Sequence, residues 1–178
     1  MGRTSTVDVT DHPVRNQNIL VTGGAGFIGS ALATELRETN DVTILDNFST
    51  GSEENVESVP EERIIDGDIT DEECIRDAVE GQDMVVHMAA MMGVRRTLDN
   101  ALGVLQVNIN GTQTVLEAAA NAGVDRVAIA STSEVYGDAA TVPYAEDDET
   151  APKTNYAVAK LADERFLQAY AERYDFDF

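Results

Sequence analysis

Short, unbroken apolar runs alternate along this chain with longer stretches in which apolar residues recur every three to four positions. Ile19-Leu20-Val21-Thr22, Val42-Thr43-Ile44-Leu45, Arg63-Ile64-Ile65, Met84-Val85-Val86-His87 and Val127-Ala128-Ile129-Ala130 are the runs. They are rich in β-branched residues and do not alternate with polar ones, which predicts strands buried on both faces. Between them, Ile28, Leu32 and Leu36 fall four apart, as do Ile75 and Val79. A longer helix is predicted around Leu102 to Ala122, carrying Leu105, Ile109, Val115, Leu116 and Ala119, with Gly123 as its C-cap. Asp71 is placed to cap the helix through Ile75 and Val79. Strands alternating with helices predict an α/β fold with a doubly wound parallel sheet. Asp138 to Asn155 reads as a loop with an acidic run at Glu146 to Glu149, and helical spacing returns from Tyr156 through Leu161 and Phe166. Phe176-Asp177-Phe178 looks like the lead into another strand. Residues 1–18 have no apolar core and read as a flexible acidic tail, leaving 19–178 as one domain.

Charge narrows the partners. The 178 residues carry 33 acidic against 12 basic side chains, a formal net of -21, and only Lys153 and Lys160 are lysines. Such a chain repels nucleic acid and anionic lipid. The regular apolar segments argue against disorder, so the charge is read as adaptation to high salt, where self-repulsion is screened. No apolar run is long enough to span a bilayer. Cys74 is the only cysteine and has no internal disulfide partner, so the expected compartment is the reducing cytoplasm. No spacing suggests a metal site.

The first candidate chemistry is Gly23-Gly24-Ala25-Gly26-Phe27-Ile28-Gly29, placed between a strand and a helix. Gly23 permits the tight turn, Gly26 lets backbone N–H groups approach a pyrophosphate, and Gly29 lets the helix pack close to the sheet. Asp46 ends the next strand, where a carboxylate can hold the adenosine ribose hydroxyls and repel a 2′-phosphate. The pair favours NAD over NADP. A P-loop is excluded, since no G-K-[ST] follows the glycines.

These pieces extend into a longer pattern: Asp46-Asn47 with Gly51, Gly67-Asp68-Ile69, His87-Met88-Ala89-Ala90 and Val107-Asn108-Ile109-Asn110-Gly111-Thr112. In order and spacing the chain after residue 18 resembles the extended short-chain dehydrogenase/reductase family, the nucleotide-sugar epimerases, dehydratases and decarboxylases. The resemblance implies a Rossmann-type sheet and places Phe27 and Ile28 with the glycine turn at the cofactor. Asp68 and Ile69 would flank the adenine. Ala89 and Ala90 would line the dinucleotide, and Asn108 would support its site from the central helix. Members of this kind run well beyond 300 residues, so the resemblance also implies that the C-terminal substrate domain is missing here. It further implies a homodimer in the full-length form, with Leu102 to Ala122 and Tyr156 to Arg173 as candidate contacts.

The second candidate chemistry is Tyr156-Ala157-Val158-Ala159-Lys160. Residues four apart share one helix face. An ammonium there favours phenolate and lowers the tyrosine pKa, making Tyr156 a proton acceptor. By resemblance Lys160 also holds the nicotinamide ribose. Ser131, Thr132 and Glu134 follow the fifth strand and can face the nicotinamide, and the resemblance implies that Thr132 hydrogen-bonds the sugar O4. Oxidation at sugar C4 then leads to epimerisation, 4,6-dehydration or decarboxylation. Ser133-Glu134 resembles decarboxylases and GDP-mannose dehydratases, whereas Met91-Met92-Gly93-Val94-Arg95-Arg96 resembles epimerases. The expectation is a UDP-sugar 4-epimerase of the UDP-glucose type. The alternatives are a 4,6-dehydratase, a UDP-glucuronate decarboxylase, or a non-catalytic NAD-binding remnant.

Overall fold

A computed structural model describes residues 14–93, 100–138 and 142–178. Most of the tail and Val94 to Arg96 therefore lie outside the described residues. Five strands form one parallel sheet: β1 (Asn18–Thr22), β2 (Asp41–Asp46), β3 (Ile64–Asp66), β4 (Met84–His87) and β5 (Arg126–Ile129). Their order is β3-β2-β1-β4-β5, so successive connections run outward from β1 in both directions. This is the doubly wound, Rossmann-type order. The reversal leaves a crevice beyond the carboxyl ends of β1 and β4.

Each strand supplies side chains to both faces. Leu20, Leu45, Val85 and Val127 enter one core with Ile75, Val79, Val115, Leu116 and Leu167. Ile19, Val21, Val42, Ile44, Met84 and Val86 enter the other, against Ala33, Val56 and Val59. The helices on the first face are α2 (Glu72–Val79), α4 (Gly111–Ala122) and α5 (Asn155–Tyr174), while α1 (Phe27–Leu36) covers the second. Asp71 caps α2, its Oδ1 accepting from Glu73 N at 3.0 Å and Cys74 N at 3.2 Å. Gly123 ends α4 in the left-handed conformation, φ 72°.

Three sequence expectations need correction. Strand β3 begins at Ile64, Arg63 closing a 3₁₀ turn, and as an edge strand it is not buried on both faces. The helix around Leu102 to Ala122 is not uniform. It opens as α3 (Ala101–Leu105), passes through a π turn at Gln106–Asn110, and continues as α4. Asn108, buried inside that turn, is tied to the main chain of Met91, a contact that periodicity does not encode. Finally, Ile28 sits at a core-type spacing but is exposed, because α1 turns its first residues toward the crevice. The chain's end adds one parallel bridge to β5, at Arg126 and Asp177.

Candidate active site

The crevice is a cavity of about 910 Å³. Its floor is the turn from β1 into α1. Gly23 adopts φ 70°, and its N–H donates to Leu45 O at 2.7 Å. A Cβ at Gly29 would lie 2.2 Å from Gly23 O, so only glycine lets the helix sit this close to the turn. At Gly26 a Cβ would approach only Gly23 O, at 3.2 Å, and the space beyond is free for a ligand. Helix α1 has no side-chain cap and no acid in its first turn, unlike α2 with Asp71 and Glu72. Its leading N–H groups are left to an anion. This fits a pyrophosphate.

Toward one end, Asp46 closes β2 with its carboxylate on the turn. Oδ2 accepts from Ala25 N at 3.0 Å and Oδ1 from Phe48 N at 2.8 Å. Asn47 donates to Asp68 Oδ2 at 2.8 Å. Burial would raise the Asp68 pKa, but hydrogen bonds from the Thr70 hydroxyl and amide and from Asn47 outweigh it and lower the pKa. Asp68 and Ile69 therefore form a fixed wall of the cavity. Gly51 does not line it; a Cβ there would meet Ala25 at 2.8 Å, so its part is to let the next loop pack on the glycine turn. Ser49 and Thr50 do line it, and no motif marks them in the sequence.

Ala89 and Ala90 form the middle of the wall with Met88, beside the exposed ring of Phe27. Asn108 stands behind this segment rather than in it. Its Oδ1 accepts from Met91 N at 2.7 Å and its Nδ2 donates to Met91 O at 3.0 Å. His87 is fully buried between the hydroxyls of Thr22 and Thr112, at 2.7 and 3.1 Å. Burial and then the Lys160 charge lower its pKa to about 3, so it is a neutral core residue.

At the other end stand Ser131, Thr132, Glu134, Tyr156 and Lys160, all bordering the same cavity. Ser131 hydrogen-bonds Glu164. Thr132 caps a 3₁₀ turn over Ser133–Tyr136. Glu134 Oε2 accepts from Thr154 Oγ1 at 3.0 Å, and the same hydroxyl caps α5 by accepting from Ala157 N at 3.0 Å. The cap thus ties Glu134 to the helix that carries Tyr156. Lys160 is buried and donates to Asp163 Oδ2 at 3.2 Å. The expected lowering of the Tyr156 pKa is not found. Burial raises it first, then the charges of Glu134 and Asp163. The lysine whose ammonium was expected to lower it is paired with a carboxylate that no sequence motif marks.

The sequence profile of the NAD dependent epimerase/dehydratase family matches residues 19–178, and the chain belongs to this family. The low-salt glycan biosynthesis protein Agl12 of Haloferax volcanii is 38% identical over 164 residues, which are 89% of this chain and 53% of that protein. The UDP-N-acetylglucosamine 4-epimerase of Methanobrevibacter ruminantium M1 superposes with a TM-score of 0.85 at 33% identity, covering 92% of this chain and 53% of that one. DesIV, a dTDP-glucose 4,6-dehydratase of Streptomyces venezuelae solved with NAD and TYD bound, gives 0.83 at 34%, covering 90% and 53%. Further relatives are named as UDP-glucose 4-epimerases, dTDP-glucose 4,6-dehydratases and a UDP-N-acetyl-alpha-D-glucosaminuronate decarboxylase. The chain spans about half the length of the curated relatives it matches.

Proposed function

We propose that this chain binds NAD and forms the oxidising half of a nucleotide-sugar 4-epimerase acting on a UDP-sugar. The observation that carries the reading is the continuity of one cavity from Asp46 and the glycine turn to Tyr156 and Lys160. The uncapped start of α1 would hold the pyrophosphate of a dinucleotide, and Asp46 and Asp68 would hold its adenosine end. When bound, NAD supplies the acceptor for a hydride from the sugar C4. The residues handle the proton and the alignment. Tyr156 Oη receives the proton of the C4 hydroxyl, Thr132 holds O4, and Lys160 orients the ribose from the cavity wall.

Glu134 favours a second reading. It lies beside Tyr156 with a carboxylate held by Thr154, where a base acting next to a 4-keto group would stand. A 4,6-dehydratase or a uronate decarboxylase uses the same first oxidation. The test incubates the longest available form of the protein, in high salt with NAD, with UDP-, GDP- and dTDP-sugars. Product of unchanged mass with inverted C4 supports the epimerase. Loss of water or of carbon dioxide replaces it with the second reading. NAD binding without any product would mean that the chain is a non-catalytic cofactor-binding unit.

A further inference from the structure

Behind the inner wall of the cavity lies a buried polar strip that crosses several elements. Thr22 on β1 and Thr112 on α4 hold the His87 ring between them, and all three are fully buried. Asp163 on α5 lies next along this strip, and its Oδ2 accepts from Lys160 Nζ. Burial raises the Asp163 pKa on balance, against the opposing pull of the Lys160 charge and of hydrogen bonds from Lys160 and the Thr112 hydroxyl. Lys160 is 1% exposed and Asp163 0%. Asp163 Oδ1 has no hydrogen-bond partner among the described residues.

Lys160 borders the cavity and Asp163 does not. The carboxylate therefore grips the ammonium from the core side. An ammonium has three donors, and this contact uses one. Such a pair is a poor device for stability. Removing two charges from water costs several kcal/mol per ion, which mutual attraction rarely exceeds. Its gain lies elsewhere: the lysine is fixed in direction, its ammonium paired with a carboxylate 3.2 Å away. Tyr156 sits one turn before Lys160, where a bare ammonium would draw it toward phenolate.

We propose that Asp163 is a positioning residue: its carboxylate anchors the Lys160 ammonium from the core side and cancels the charge that the lysine would otherwise exert on Tyr156. The inference rests on the reading of Tyr156 and Lys160 as the reactive pair. The charged and titratable groups facing them come from three elements. Glu134, on the turn after β5, acts on Tyr156 in the same direction as Asp163. His87 on β4 is neutral above about pH 3 and adds no charge. Glu164 neighbours Asp163 on α5 and raises its pKa, behind the larger effects of burial and Lys160. Asp163 is thus the acid in direct contact with the Lys160 ammonium and, after Glu134, the second acid whose charge raises the Tyr156 pKa.

The test titrates Tyr156 in the ligand-free chain by ¹³C NMR of the tyrosine ring, with the resonance assigned from Tyr156→Phe. Asp163→Asn keeps an acceptor for Lys160 and removes the charge. It is expected to lower the Tyr156 midpoint by about half a unit or more. Lys160→Met, which leaves the carboxylate alone, is expected to raise it. In the double variant Lys160→Met/Asp163→Asn the midpoint is expected to fall between those of the two single variants, since both charges are gone. An unmoved or raised midpoint in Asp163→Asn overturns the proposal. So does a double variant that titrates like Lys160→Met. Where Asp163→Asn does not fold, the double variant decides, because it buries no unpaired charge. The titration needs neither NAD nor sugar. Failure of NAD binding or turnover would therefore count against the proposed function and leave this result standing.

Discussion

At the residue scale, the glycines divide by what surrounds them. Gly123 needs its left-handed backbone, but a Cβ there meets nothing within 4 Å. Gly123→Ala is therefore expected to cost only the backbone strain, about 1–2 kcal/mol. Gly29 has the opposite problem: its added Cβ would strike Gly23 O, which is backbone. Gly29→Ala is expected to displace the turn and weaken NAD binding at least about tenfold, equivalent to 1.4 kcal/mol. Calorimetry with NAD beside urea unfolding checks the contrast; equal loss of binding in both variants would contradict it. The reason was legible in spacing alone for Gly23 and Gly29. Gly51 was not, because its packing on Ala25 depends on a loop that returns from β2. His87 gives a pH prediction. Its folded pKa lies near 3 against an ordinary 6.5, so the unfolded chain takes up a proton that the native one refuses. Stability from this site is full above about pH 6.5 and falls as pH drops toward 3, by at most about 1.4 kcal/mol per pH unit. His87→Gln is expected to show a smaller loss of urea midpoint between neutral and mildly acid pH. An unchanged slope would show that His87 is not the group concerned.

At the element scale, the sequence pattern located strands and helices well where burial is two-sided or amphipathic, as in β1, β2, β4 and α4. It missed what single long-range contacts impose. The π turn contains Asn108, which spends its amide on both main-chain groups of Met91, 17 residues away in sequence. Periodicity carries no information about that pairing. The same contact holds the strand-to-loop segment that presents Ala89 and Ala90 to the cavity. Asn108→Ala would orphan a donor and an acceptor, and is expected to cost about 2–4 kcal/mol. Asn108→Asp can still accept from Met91 N but sets a carboxylate oxygen against Met91 O. It should fail to rescue at neutral pH. Urea midpoints of the two variants decide; recovery by Asp would mean that only the amide of Met91 matters. The Tyr156 helix shows the same limit. Tyr156 and Lys160 were readable as one face, but Asp163, an acid within a helix, reads as an ordinary surface residue until its burial is seen.

At the scale of the whole molecule, charge outweighs every other feature of the surface. With 33 acids and 12 bases, at least 21 carboxylates have no cation for a one-to-one partner. Of the ion pairs between described residues, Arg63–Asp41, Arg76–Asp77, Arg126–Asp177 and Lys153–Asp138 are exposed, and such pairs contribute about 0–1 kcal/mol each. They do not offset the repulsion of the remaining surface. Compaction brings these carboxylates closer than they lie in the unfolded chain, so repulsion acts against the folded state. Salt shortens its reach, from about 10 Å at 0.1 M to about 3 Å at 1 M. The urea midpoint of this chain is therefore expected to rise from dilute buffer to molar KCl. Glu57, Glu61, Glu62 and Glu80 are exposed and stand away from the cavity lining. Replacing all four by glutamine removes charge without touching the core, so the variant should be more stable than wild type in dilute buffer and converge with it in molar KCl. Convergence is the decisive feature, because a general effect of salt on hydrophobic burial would raise both curves in parallel. A flat or falling wild-type midpoint would remove high salt as the setting for which this surface is built.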